Sequence, residues 1–366
     1  MPYSLYIHIP YCKSRCRYCD FYTAATGGAV PDTYLDALEN AFRRHAPKGA
    51  DGAPGRPATV YFGGGTPSLL APAQTARLLA MANPLPGAEV TLEANPESAT
   101  LEKLSAFRAA GVNRLSLGVQ SANDAQLRTL GRLHTAAQAR AAFAAARTAG
   151  FENISGDIML ALPGYTSAEF ERTLGLIRDG GATHISAYLL KLEPGTPLAQ
   201  SPPKNLPDAD AAADFYLHAA AALEKAGYAQ YEISNFAQPG FEGWHNLVYW
   251  DAGDWLGLGP AAHSCLFGRR FSFAADTAGF IKAQGMVEAT AEGTLAAEDY
   301  MMLRLRLSAG LDEEALLARW GVSLSEKQRG FLDALCRQGL ARKTPGGWAL
   351  TPAGMLVQNS ILARLL

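Results

Sequence analysis

Short runs of strand-forming residues recur through the first half of the chain, at 4–9, 59–62, 89–94, 114–119, 154–160 and 184–189, with longer helix-spaced stretches between them. Strands bridged in this way by helices lie parallel in one sheet, which the helices cover. The intervening stretches carry their own period. Tyr34, Leu35, Leu38, Ala41 and Phe42 share one helical face, as do Leu101, Leu104 and Phe107. Thr166 and Glu169 are spaced as a capping box ahead of Phe170, Leu174 and Ile177. The fold class is therefore α/β, built from repeated βα units. Sheets of this kind bind ligands beyond the C-terminal ends of their strands. The residues that carry chemistry fall there: the cysteines follow the first run, and Gly63-Gly64-Gly65-Thr66-Pro67 follows the second.

At 366 residues the chain is long enough for two or three units. A turn-rich connector, Ser201-Pro202-Pro203-Lys204-Asn205-Leu206-Pro207, precedes a helix expected from about 208 to 227. The stretch from 228 to about 293 is rich in Gly, Asn and aromatic residues and has a weak period. Beyond it, short helices return, with Ser323 and Glu326 in capping-box spacing, and 339–350 reads as a hairpin. The expected division is 1–200 for the βα unit, 201–293 for a connector packing on it, and 294–366 for a small winged-helix-like unit. Lys and Arg number 32 against 34 Asp and Glu, so no basic field exists to hold nucleic acid. Met1-Pro2-Tyr3-Ser4-Leu5 lacks the cationic-then-apolar pattern of a secretory leader, and no apolar run is long enough to span a bilayer. The expected setting is the reducing cytoplasm, without stable membrane insertion.

Cys12-x3-Cys16-x2-Cys19 is the densest chemical signal, while Cys265 and Cys336 stand alone. In a reducing compartment, clustered thiols are metal or redox ligands rather than disulfides. One reading is a zinc site completed by His8 or Asp20, although zinc knuckles usually come in pairs. A second is a group of ordinary thiols, and a third is a [4Fe–4S] cluster in which three thiolates hold three irons and the fourth keeps open positions. Other polar residues cluster at strand ends. Glu93 lies in Leu92-Glu93-Ala94-Asn95-Pro96, Gln120 closes the fourth run, and Arg132 lies in Leu130-Gly131-Arg132-Leu133-His134. Asp157 sits inside an apolar run, where a carboxylate needs partners.

The CxxxCxxC spacing after a first strand resembles the radical S-adenosylmethionine (SAM) superfamily. Tyr6-x-His8-Ile9-Pro10 and the segments 63–68, 115–121, 157–164, 193–197 and 231–237 are similar to the coproporphyrinogen dehydrogenase-like branch of that superfamily over nearly the whole chain. The resemblance implies a partial (β/α)6 radical-SAM barrel followed by a C-terminal α+β region ending in the winged-helix-like domain. It implies a [4Fe–4S] cluster on Cys12, Cys16 and Cys19, with SAM chelating the open iron and open to reductive cleavage to a deoxyadenosyl radical. By motif, Tyr6, Tyr18, Gly64, Gly65, Thr66, Glu93, Gln120, Arg132 and Asp157 are the implied SAM contacts. Arg132 suits a carboxylate, and Glu93 or Asp157 suits ribose hydroxyls.

Within that branch two departures from the dehydrogenases count. Phe21 stands where those enzymes carry a further cysteine, and the motif strand begins almost at residue 1. His245-Asn246-Leu247-Val248-Tyr249-Trp250 is similar to the HNxxYW motif of the branch's haem chaperones. That resemblance implies haem as a further cofactor, with His245, Tyr249, Trp250 and His263 as candidate contacts. A histidine can ligate haem iron, and aromatic rings supply flat apolar surface. The alternative for His245 is a hydrogen-bonded place in a packed aromatic turn. The expected function is haem binding and transfer to an unidentified acceptor protein, with an electron donor required if SAM is cleaved. The alternatives are oxygen-independent coproporphyrinogen III dehydrogenation and a related radical SAM methylation or cyclopropanation.

Overall fold

Along the first six strands, side chains alternate between an apolar face and a polar one. These strands are β1 (Ser4–Ile9), β2 (Thr59–Gly64), β3 (Glu89–Ala94), β4 (Arg114–Gln120), β5 (Asn153–Leu160) and β6 (His184–Leu189). Each pairs parallel with the next. Leu5, Ile7, Val60, Phe62, Leu92, Leu117 and Ile154 all belong to one buried core with the helices. The opposite face carries Ser4, Tyr6 and His8, then Thr59 and Tyr61, and so on to His184 and Ser186. A parallel strand covered on both faces by helices would read as continuously apolar. The alternation here reflects a second face that is buried but polar. The structure, a computed structural model, describes residues 3–25, 27, 29–49 and 52–366. Met1 and Pro2 of the N-terminal run lie outside the described residues.

The helices are α1 (Asp32–His45), α2 (Pro72–Ala82), α3 (Leu101–Ala110), α4 (Asp124–Leu130), α5 (Ala136–Thr148) and α6 (Ser167–Asp179). The expected face of α1 is buried in full. On α3, Leu104 and Phe107 are buried but Leu101, in the first turn, is 45% exposed. The Thr166 capping box forms as expected, with the Glu169 N–H donating to Thr166 Oγ1 at 3.3 Å and the Thr166 N–H to Glu169 Oε2 at 3.0 Å.

The weakly periodic stretch from 228 to 293 supplies both flanks of the sheet. After α7 (Pro197–Gln200) and α8 (Ala209–Lys225), capped by Asp208, come β7 (Ala229–Gln230) and β8 (Asn235–Ala237), which extend the β6 edge antiparallel. After α9 (Trp244–Trp250), β9 (Trp255–Leu258) pairs parallel with β1. An antiparallel meander of β10 (His263–Leu266), β11 (Arg269–Ser272) and β12 (Thr290–Thr294) follows it, with α10 (Thr277–Lys282) between the last two. The twelve-stranded order β12-β11-β10-β9-β1-β2-β3-β4-β5-β6-β8-β7 is open at both ends, a partial barrel with extended flanks. Several of these strands have two to four residues, too few for a period to register in sequence.

A second core gathers Tyr300, Met301, Leu316, Leu332, Leu335, Trp348 and Ile361. It belongs to α11 (Ala297–Arg304), α12 (Glu313–Trp320), α13 (Glu326–Arg337), α14 (Pro352–Leu356) and α15 (Gln358–Leu365). These pack with β13 (Leu311–Asp312) and the hairpin β14 (Ala341–Thr344) and β15 (Gly347–Leu350), giving the winged-helix-like end. The cap of α13 is Ser325 with Gln328, not Ser323 with Glu326, since Glu326 is already the first helical residue. No helix among the described residues is long and apolar enough to cross a membrane.

The polar face is held by buried pairs. Arg114 and Glu89 lie 4.0 Å apart with side chains 3% and 10% exposed. Glu89 also accepts the first N–H groups of α9, from Trp244 at 3.1 Å and His245 at 3.0 Å. Removing one member of a buried pair strands the other's charge, so Arg114→Met is expected to cost about 3 kcal/mol in urea unfolding.

Candidate functional site

Cys12 ends a two-residue parallel pairing between Tyr11–Cys12 and Ala24–Ala25, directly after β1. Cys16 and Cys19 follow on a loop turned by the Cys19 N–H donating to Cys16 O at 3.3 Å. The loop is docked from outside: the Arg17 N–H donates to Leu130 O at 2.9 Å, and a Cβ on Gly131 (φ +74°) would lie 3.0 Å from the Arg17 side chain. All three thiols line one cavity of about 340 Å³ at the C-terminal ends of the strands, whereas Cys265 and Cys336 do not. Burial pushes the Cys12 thiol up and carries Cys19 to about 11, so both are protonated at neutral pH until a metal displaces the proton.

Among the described residues, no trio of His, Cys, Asp or Glu closes on one point, as a lone tetrahedral ion requires. Of the two expected fourth zinc ligands, Asp20 lines the cavity, whereas His8 is committed, Nδ1 to Tyr6 Oη and Nε2 to Tyr22 O, both at 3.0 Å. Three thiols on the wall of one cavity suit a cluster in which each sulfur takes a different iron.

The glycine run serves packing first. A Cβ on Gly64 (φ +110°) would lie 2.5 Å from the His8 ring, and one on Gly65 would lie 2.7 Å from Tyr11 O. Bare backbone lets β2 close on the cysteine loop, where the Gly65 N–H donates to Ile9 O and the Thr66 N–H to Tyr11 O, each at 2.8 Å. Gly64, Gly65 and Thr66 still face the cavity.

Tyr18, Glu93, Gln120, Arg132 and Asp157 join them in the lining; Tyr6 does not, and lies behind Gly63 against His8. Glu93 accepts from Tyr61 Oη at 2.8 Å, and burial pushes its carboxyl up to about 7. Asp157 accepts from Ser116 Oγ at 3.1 Å, and burial raises it as well. Gln120 holds a left-handed backbone (φ +64°), and its buried Oε1 has no partner. An orphaned acceptor at a cavity wall is a vacancy for a ligand donor.

Arg132 is more committed than a free carboxylate clamp. Its Nη2 donates to Asn95 Oδ1 at 2.7 Å and to Gly118 O at 2.6 Å, and its Nη1 to Cys16 Sγ at 3.5 Å. Asn95 in turn donates to Thr66 Oγ1 at 3.3 Å, and Thr66 Oγ1 to Cys12 Sγ at 3.5 Å. Asn95, Tyr61, Ser116 and Tyr188 were missed as site residues. The one sequence hint was Asn95, next to Glu93 and ahead of a proline.

The four haem candidates lie away from the cavity lining. His245 is 1% exposed at the opposite end of the strands, Nδ1 bonded to Thr59 Oγ1 at 2.6 Å and Nε2 to Tyr249 Oη at 2.7 Å. Burial lowers its pKa to about 3. Both nitrogens are hydrogen-bonded, so the packed aromatic turn is the arrangement present in this structure. Trp250 lies under Arg306 at 5.3 Å. His263 is exposed on β10, paired with Glu292 at 3.0 Å.

Residues 6–177 match the radical SAM superfamily, and 294–357 match the HemN C-terminal domain. The heme chaperone HemW of Mycobacterium tuberculosis H37Rv is 38% identical over 382 residues, covering 100% of this chain and 95% of its own length. The chain belongs to the HemW family of radical SAM proteins. The heme chaperone HemW of Bacillus subtilis is 35% identical over 381 residues, covering 99% of each. The solved coproporphyrinogen III oxidase HemN of Escherichia coli, a radical SAM enzyme, superposes with a TM-score of 0.82 at 25% identity, over 100% of this chain and 90% of that one. Family membership implies a [4Fe–4S] cluster and SAM.

Glu93 sets a pH dependence. Its folded pKa lies above its ordinary 4.5, so the folded state prefers the protonated acid and loses stability as pH rises toward 7. Glu93→Gln removes that loss, and between pH 5 and pH 8 the fall in unfolding free energy should shrink by about 2 kcal/mol.

Proposed function

We propose that this chain is a haem carrier that holds a [4Fe–4S] cluster on Cys12, Cys16 and Cys19, binds SAM at the open iron and hands haem to an acceptor protein. The observation that carries this reading is the convergence of three thiols on one cavity, in a chain alike over its whole length to heme chaperones. When bound, the cluster and SAM supply a reducible centre and a sulfonium whose C–S bond an external electron donor can break. The chain's part is positioning. Thr66 and Arg132 steady Cys12 and Cys16. Gln120 Oε1 is the vacant acceptor for a nucleotide donor. Glu93 and Asp157 offer carboxylates suited to ribose hydroxyls, and Gly64, Gly65 and Tyr18 complete the wall. Tyr6, hydrogen-bonded to His8, stands behind the cavity wall. Arg132, already bonded to protein, has fewer N–H groups left for the carboxylate of SAM. His245 and Tyr249 brace the floor of the barrel.

The deciding experiment is anaerobic reconstitution followed, on one sample, by haem titration and a coproporphyrinogen turnover assay. Stoichiometric haem uptake without protoporphyrinogen supports the carrier; turnover would favour the dehydrogenase. Alanine at any one of Cys12, Cys16 or Cys19 should abolish the iron–sulfur absorbance. Gln120→Ala should weaken SAM binding about tenfold in equilibrium dialysis, the loss of one buried hydrogen bond. His245→Ala should lower the melting temperature and leave haem affinity unchanged.

A further inference from the structure

Gln120 is strained as well as unpaired. Its backbone is left-handed at φ +64°, and across it the Ser121 N–H donates to Val119 O at 2.8 Å. A hydrogen bond between residues two apart, with a positive angle at the centre, is the rare and strained form of γ-turn. Glutamine lacks the freedom that lets glycine adopt it without cost. Strain of this kind lasts only where the surroundings enforce it. The turn sets how the Gln120 side chain enters the cavity wall.

The enforcing contact comes from behind the cavity. His134, its side chain fully buried, bonds the same Val119 carbonyl through Nε2 at 3.0 Å. A carbonyl only accepts, so Nε2 carries the hydrogen. The other ring nitrogen, Nδ1, has no hydrogen-bond partner and lies 3.6 Å from the buried Glu97 Oε2, which has none either. A bare ring nitrogen and a carboxylate oxygen are both acceptors, so their buried contact holds only with a proton on one of them. Burial works to raise the Glu97 carboxyl, but the His134 ring, a backbone N–H and the Arg132 guanidinium hold it below its usual range. His134 follows Arg132 by two residues, and Glu97 follows Asn95 by two, in the short helical turn Pro96–Ser98. The pair thus joins the end of β4, the α4–α5 connection and the turn after β3.

The geometry points to His134 and Glu97 as positioning residues of the nucleotide site: His134 locks the γ-turn that presents Gln120, and Glu97 holds the His134 ring in place. Neither residue lines the cavity, so both act through Gln120. The inference rests on the reading of Gln120 as a SAM contact given above.

The test is equilibrium dialysis of SAM against the anaerobically reconstituted full chain, with iron–sulfur absorbance recorded on each sample. His134→Leu should keep the cluster and bind SAM about tenfold more weakly, as Gln120→Ala does. His134→Gln, whose amide can still donate to Val119 O, should return to within about threefold of wild type. Glu97→Gln, whose amide can donate to Nδ1, should do the same. Placed on Gln120→Ala, His134→Leu should add less than about threefold, because the contact it positions is already gone. Wild-type affinity in His134→Leu, no recovery in His134→Gln, or a further loss of about tenfold on Gln120→Ala overturns the positioning role. If His134→Leu does not fold, His134→Asn, too short to reach Val119 O, decides on the same measures. A wild-type chain that holds the cluster but takes up no SAM overturns the underlying reading of the site instead.

Discussion

A guanidinium out of bulk water has to spend its N–H groups on protein acceptors, and Arg132 spends them on three separate parts of the chain. It reaches the Gly118 carbonyl on β4, the Asn95 side chain beyond β3 and the Cys16 sulfur on the loop after β1. Through Asn95 and Thr66 the same network continues to Cys12. Two of the three thiols are therefore fixed by one chain of polar contacts drawn from four strand ends, on a loop that has almost no regular structure of its own. Polar networks of this kind are worth more than their separate bonds, because each member orients the next.

The polar inner face extends the same constraint through the barrel. Each buried donor or acceptor there needs a partner, and partners come both from neighbouring strands and from outside the six strands. The N-terminus of α9 closes on Glu89, while His245 joins Thr59 to Tyr249. His184 bonds Ser155 at 2.7 Å and Tyr231 at 2.8 Å. In this structure the His245 motif is thus bonded into the interior of the fold. At the cavity end Gln120 Oε1 is orphaned and two carboxyls are raised by burial. An orphaned acceptor that faces a cavity, unlike one sealed in the interior, is open to a donor from a ligand.

The glycine run shows how two demands coincide. Gly64 and Gly65 are bare because the His8 ring and the Tyr11 carbonyl occupy the space a side chain would take. That packing brings the Thr66 hydroxyl against Cys12, so local sterics and site geometry select the same residues.

The linear order of residues determined the βα repeat, the cysteine trio, the glycine turn and the strand-end polar residues, because period and spacing are local properties. It also determined the cap of α6, whose partners are three residues apart. Tertiary structure decided the rest. Strands of two to four residues such as β7 and β9 have no period to read, and gain stability only from the edges they extend. The competing caps of α13, Ser323 with Glu326 and Ser325 with Gln328, differ only in where the packed helix starts. Tyr6 and His245 carry the chemistry of ligand contacts, yet pairing with His8, Thr59 and Tyr249 commits them to the interior. Asn95, with nothing but a neighbouring glutamate to mark it, becomes the link between two cysteines. A side chain's type sets what it can bond, but only the folded neighbourhood settles which bonds remain unmade.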